Sequence, residues 1–338
     1  MLGRKTSTLL TTALFGGALF ASAAAYAAEV KPAVVYDLGG KFDKSFNEGV
    51  FNGATKFKKD FGIDFRDLEI QNEAQREQGL RKFAKDGYSP IIMPGFAWAT
   101  ALGKVADEYP NTKFGIIDAV VNKPNVQSMV FKAEEGSFLV GVIAAKTSKT
   151  GKVGFVGGMD IPLISAFECG YAQGVKYASD GKDEVIANMT GTTPAAWNDP
   201  VKGGELAKSQ IDRGADIVYA AAGATGQGVL KAAADAGKFG IGVDSDQDNL
   251  FPGKVLTSML KHVDVATYDS FKAAKDGTWK AGVEVFGLKN GGVGYAEDQW
   301  NKAILSAEAK KAADAAKAEI ISGKIQVHDY MTDNKCPM

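Results

Sequence analysis

The chain has 338 residues, too many for one small core, because domains usually hold about 100–150 residues, so two domains are expected. Its 39 Lys and Arg nearly balance 40 Asp and Glu, for a net charge of −1. No basic run or aromatic-basic stripe offsets that balance, which argues against a nucleic-acid partner.

Arg4 and Lys5 precede an uncharged stretch from Thr6 to Ala28, and Ala25-Tyr26-Ala27 offers small residues for cleavage. Residues 1–27 therefore read as a secretory signal peptide. A membrane anchor is the competing reading, but Ser, Thr and Gly interrupt the run and no second apolar stretch of spanning length follows. No cysteine lies near the cleavage site, so a form without a lipid anchor, free in the periplasm, is expected. Cys169 and Cys336 form an even pair in an oxidising compartment; they fit either a disulfide that fastens the C-terminal tail or two free thiols.

Short β-branched runs then alternate with segments of helical period, which predicts βαβ units and a parallel sheet. Strands are expected over 30–36, 65–70, 91–93, 114–117 and 126–131, with helices from about Ser45, over 73–85, and ending near Tyr109. A second series has strands over 152–156, 184–189, 216–221 and 239–243, with helices over 163–177, 201–213 and 226–236. Both series run through four βα steps and open on a strand ending in Gly-Gly (Gly39-Gly40, Gly157-Gly158), so two similar α/β lobes are expected. The remaining elements are strands 255–259 and 283–288 and helices 263–275 and 303–322; the strands serve best as crossings between the lobes. The expected N-terminal lobe is thus 28–132 plus about 258–282, and the C-terminal lobe 133–257 plus about 283–338.

Ligands of open parallel sheets sit beyond the carboxyl ends of the strands, and the unusual residues of this chain gather there. They include Asp37, Phe46 and Asn47 after the first strand, Asp118 after the fourth, and Phe167, Trp197, Gly223 and Asp244 in the second lobe, with Lys261 ending a crossing strand. Aromatic faces hold a flat ring, carboxylates accept from hydroxyl and N–H donors, and together they imply a ring bearing hydroxyls. Each residue also has a plain structural reading: Phe46 and Phe167 as core, Asp37 and Asp118 as caps, and the glycines as turn formers. Their joint placement favours the binding reading.

Catalytic and cofactor signatures are thin, so no cofactor, catalytic residue or metal is expected. Gly223-Ala224-Thr225-Gly226-Gln227-Gly228 reverses the dinucleotide spacing, and its glycines serve equally for close helix packing. His262 and His328 have no neighbour at metal spacing. The run Asp244-Ser245-Asp246-Gln247-Asp248 is the one dense acidic cluster, which leaves a metal site, or a nucleoside hydrolase, as the lesser reading.

The stretches DLGGKFDKSFNEG, AAGATGQGV, IGVDSDQ and LTSMLKHVD resemble the basic membrane protein family of substrate-binding proteins, of the purine nucleoside receptor type, which feed ABC importers. The resemblance spans nearly the whole mature chain. It implies the type I periplasmic binding protein fold, two Rossmann-like lobes joined by a multi-stranded hinge, acting as a monomer that meets a permease in the inner membrane. By the same resemblance Asp37 and Asp118 would meet a base edge, Phe46 and Trp197 would stack on its two faces, and Asn47 would support the loop or reach the ligand. Gly223, Asp244 and Lys261 would contact ribose, with Phe167 on the far wall. The sequence departs from the family at Trp197, where relatives commonly carry phenylalanine, and at Leu38, where some nucleoside-binding relatives carry a polar residue. Other members bind riboflavin, so a free purine base and riboflavin stand as rival ligands.

Overall fold

The computed structural model describes residues 1–3 and 30–337; the expected leader, apart from its first three residues, lies outside them. In the first sheet the strands are β1 (Ala33–Tyr36), β2 (Arg66–Glu69), β3 (Ile91–Pro94), β4 (Phe114–Ile117), β5 (Val126–Phe131) and β11 (Gly282–Phe286), in the order β11-β5-β4-β3-β1-β2 and all parallel. The second holds β6 (Lys152–Met159), β7 (Glu184–Gly191), β8 (Ile217–Ala221), β9 (Phe239–Asp244), β10 (Val255–Lys261) and β12 (Val293–Tyr295), in the order β12-β10-β9-β8-β6-β7. The two orders correspond strand for strand, and the one difference in direction is β12, which runs antiparallel to β10. Continuous apolar sequences such as AVVY in β1 and IVYAA in β8 suit strands covered on both faces, and both are wholly buried.

Helices α1 (Phe46–Phe61), α2 (Gln75–Lys85), α3 (Ala99–Glu108) and α8 (Val263–Lys275) cover the first sheet. The second is covered by α4 (Ala133–Thr147), α5 (Pro162–Ala178), α6 (Pro200–Asp212), α7 (Thr225–Asp235) and α9 (Ala307–Ile321). The pair α4 and α5 approaches so closely that a Cβ on Gly174 would stand 2.1 Å from the Phe138 carbonyl oxygen. Helix α4 was not expected from the sequence.

The chain passes between the lobes three times, at Lys132, His262 and Gly287, which follow β5, β10 and β11. Two expected boundaries therefore move. Ser258–Lys261 stay in the second sheet, and Val283–Phe286 pair with β5 in the first, because the β10 and β11 ladders run on to the hinge itself. There the Phe131 and Phe286 rings stack at 4.8 Å, and the Lys132 N–H donates to the Phe286 carbonyl.

Cys169 on α5 and Cys336 are joined in a disulfide, so the free-thiol alternative falls. Gln173 holds the same tail through two bonds to the His328 backbone. No helix among the described residues is long and apolar enough to cross a membrane.

Candidate functional site

A cavity of about 280 Å³, near the lower end for small-molecule sites, opens between the lobes at the carboxyl ends of both sheets. All nine residues expected at a site line it: Asp37, Phe46, Asn47, Asp118, Phe167, Trp197, Gly223, Asp244 and Lys261. The parallel sheets explain much of the convergence: Asp37 and Asp118 directly follow β1 and β4, Asp244 and Lys261 end β9 and β10, and all four therefore reach the carboxyl edges of the sheets.

At one end Lys261 Nζ donates to Asp118 Oδ2 at 2.5 Å, with both side chains almost fully buried. The ammonium also lies 4.6, 5.3 and 5.5 Å from the ring centroids of Phe46, Phe131 and Phe167, so aromatic faces replace much of its lost hydration. Asp118 and Asp244 occupy corresponding positions at the ends of β4 and β9, and both have left-handed backbones, φ +66° and +62°. Such conformations in non-glycine residues persist where the surroundings hold them, and they turn both carboxyl groups toward the cleft. Asp244 Oδ2 accepts from the Ser45 hydroxyl at 2.6 Å. Burial raises the Asp244 carboxyl above its ordinary range; Lys261 and the Ser45 bond offset part of this, and Asp118 adds to it. Two carboxyl groups around one ammonium leave acceptor capacity for hydroxyl or N–H donors from a ligand.

Asp37 differs from expectation in its surroundings. Arg76 Nη2 donates to its two oxygens at 2.9 and 3.1 Å, and the Leu38 N–H donates to it at 2.8 Å, so the carboxylate arrives at the cleft already paired. Arg76 itself lines the cavity, as do Glu73 and Asp43. Asn47 spends its amide N–H on the Gly40 carbonyl at 3.0 Å, bracing the loop, while its Oδ1 is buried without a partner. Asp43 caps α1, accepting from the backbone N–H groups of Ser45, Asn47 and Glu48.

On the opposite wall the short turn Pro194–Trp197 presents the Trp197 ring. Gly158 is needed for it, because a Cβ there would stand 2.2 Å from the indole. Gly157-Gly158 thus lies within β6, while Gly39-Gly40 lies in the loop beyond β1. The later glycine run serves helix packing, since a Cβ on Gly228 would meet the Pro200 carbonyl at 1.8 Å.

The lip 43–45 crosses the cleft and is held by the second lobe. Ser245 Oγ donates to the Ser45 carbonyl at 2.8 Å, Gln247 Nε2 to Lys44 at 2.9 Å and Gln227 Nε2 to Asp43 at 3.2 Å. This is the geometry of a closed cleft. The second-lobe ends of these bonds come from α7 and from the loop that follows β9.

Burial also sets a pH dependence. It pushes the carboxyl groups of Asp43 and Asp248 up to about 7 and that of Glu134 up to about 8. A raised folded-state value stabilises the fold fully below the unfolded value and is lost as pH rises through the folded one. The melting temperature is therefore expected to fall between about pH 5 and about pH 8, and Glu134→Gln should flatten the fall. Calorimetry across that window checks it, and a rising curve would contradict the burial argument.

The Bmp family, described as ABC transporter substrate-binding protein PnrA-like, matches residues 30–330. An uncharacterised lipoprotein of Pyrococcus horikoshii is 34% identical over 309 residues, 86% of this chain and 75% of its own. The ABC transporter nucleoside-binding protein BmpA of Lactococcus lactis is 32% identical over 322 residues, 88% of this chain and 89% of its own. Among solved structures, an ABC transporter solute-binding protein from Aeropyrum pernix is similar with a TM-score of 0.83 at 29% identity, over 90% of this chain and 95% of that one. The Pyrococcus relative's name includes a lipid that the present sequence was not expected to carry. Taken with the two matching sheets and the cleft between them, these likenesses place the chain in the Bmp family of ABC transporter substrate-binding proteins.

Proposed function

We propose that this protein captures a purine nucleoside in the periplasm and hands it unchanged, as a monomer, to the permease of an ABC importer. The observation that carries the reading is that Phe46 from one lobe and Trp197 from the other line one cavity together with Asp118, Lys261 and Asp244. Two aromatic walls suit a flat heterocycle, and an ammonium between two carboxyl groups suits adjacent hydroxyls, which both donate and accept. The nucleoside-binding name of the Lactococcus relative supports the same ligand class. A nucleotide is disfavoured, because Asp118 and Asp244 would repel a phosphate.

Asp244→Ala tests the ribose half. In calorimetry on ligand-free protein it should weaken a purine nucleoside by about 1.5–3 kcal/mol, the usual worth of a hydrogen bond to a charged group, and leave the free base unchanged. Ser45→Ala separates this from loss of the interlobe bond, since it removes the Ser45 hydroxyl and keeps the carboxyl group. Equal weakening of base and nucleoside by Asp244→Ala would sink the ribose assignment.

A further inference from the structure

Outside the cleft, the run after β9 alternates in its duties. Asp244 faces the cavity, Ser245 and Gln247 hold the lip of the first lobe, and Asp246 and Asp248 turn elsewhere, to meet Asp298 from the loop after β12. One carboxylate oxygen from each of these three lies within 4.8 Å of the others. Each acid already spends an oxygen on structure: Asp246 Oδ1 accepts the Asp248 N–H, Asp248 Oδ1 the Ser258 hydroxyl, and Asp298 Oδ1 the Trp300 and Asn301 N–H groups. The second oxygen of Asp248 is fully buried and has no hydrogen-bond partner, in a side chain with no exposed surface. Among the described residues none of the three acids forms an ion pair, so no lysine or arginine side chain neutralises the cluster. A buried acceptor left open among like charges is costly unless something positive completes it.

We infer that Asp246, Asp248 and Asp298 form a binding site for a calcium ion, separate from the solute cleft. Oxygen-only donors select a hard cation, and three oxygens within 4.8 Å of one another can share one calcium ion at about 2.3–2.6 Å; magnesium, which demands near-ideal octahedral geometry and gives up its waters reluctantly, suits such a set of loop carboxylates less. Water would complete the shell on the exposed Asp246 side. The ion would fix the same run that holds the lip through Ser245 and Gln247, so the site belongs to the rigid frame of the closed cleft.

The test uses the full chain, stripped with a chelator and melted while calcium is titrated into the millimolar range, with sodium and magnesium chloride at matched ionic strength. The melting temperature of the wild type should rise saturably with calcium and more than with magnesium. Asp246→Asn together with Asp298→Asn keeps the acceptors for the backbone N–H groups and should abolish the response. A wild type that responds to calcium no more than to sodium overturns the proposal, as does a double variant that still responds. A readout free of any variant is terbium luminescence, excited through Trp300, which neighbours Asp298 and is partly exposed. Sensitised emission that calcium displaces is expected; its absence, or emission that calcium leaves unchanged, contradicts the site.

Discussion

Lys261→Met is expected to destabilise the folded protein by about 3–5 kcal/mol, the range for removing one partner of a buried ion pair. The substitution keeps the apolar stem between Phe46, Phe131 and Phe167 but leaves Asp118 facing Asp244 with no cation. Without Lys261 the buried Asp244 carboxyl loses the cation that offsets its burial, so the loss should be greatest above neutral pH and shrink in acid. The double variant Lys261→Met with Asp118→Asn should recover much of the loss, because it removes the orphaned charge as well. Urea unfolding of the four members of this cycle measures the coupling directly. A loss below about 1 kcal/mol, the size expected of an exposed pair, would show that water reaches these groups and that the end of the cavity is not a dry polar anchor.

Trp197→Ala is expected to weaken every ring-bearing ligand by about 1–3 kcal/mol, the usual worth of one base-to-aromatic stack, with little change in stability. The indole is only partly buried and its backbone sits in a short turn, so its removal opens the cleft wall more than it disturbs a core. Trp197→Phe should retain most of the affinity. Calorimetry with a nucleoside and its free base should show equal losses for Trp197→Ala, since the stack touches the ring common to both. Unequal losses would mean that the indole reads the sugar.

Much of the site could be read from sequence because parallel sheets impose one rule, that loops after successive strands share an edge. Asp118, Gly223, Asp244 and Lys261 were found by following strand ends, and the cavity gathers them. Arg76 was missed for the opposite reason. It sits in QREQGLRKFAK, whose charges read as a solvated helix face, and only the packing of α2 against the first sheet turns it onto Asp37. Helix α4 was missed because AEEGSFLVGVIAAKT is apolar nearly all round, as befits a helix packed on both α5 and α9, and so shows no amphipathic period. Strand β12 has three residues with a glycine in the middle, too little for a period of two to appear. The acidic run 244–248 was visible, but sequence joined Asp244 to its neighbours, whereas the alternation along the loop sends it into the cleft and brings Asp298 to the others from 50 residues further on.

Titration of denatured and refolded, ligand-free protein with a panel of adenosine, guanosine, adenine and riboflavin, followed by chromatography of the recovered ligand, tests the account most directly. The account predicts saturable one-site binding of a purine nucleoside, tighter than that of the free base or the flavin, and recovery of the nucleoside intact. Preferential binding of base or riboflavin, no binding by any nucleoside, or release of free base in proportion to protein would contradict it.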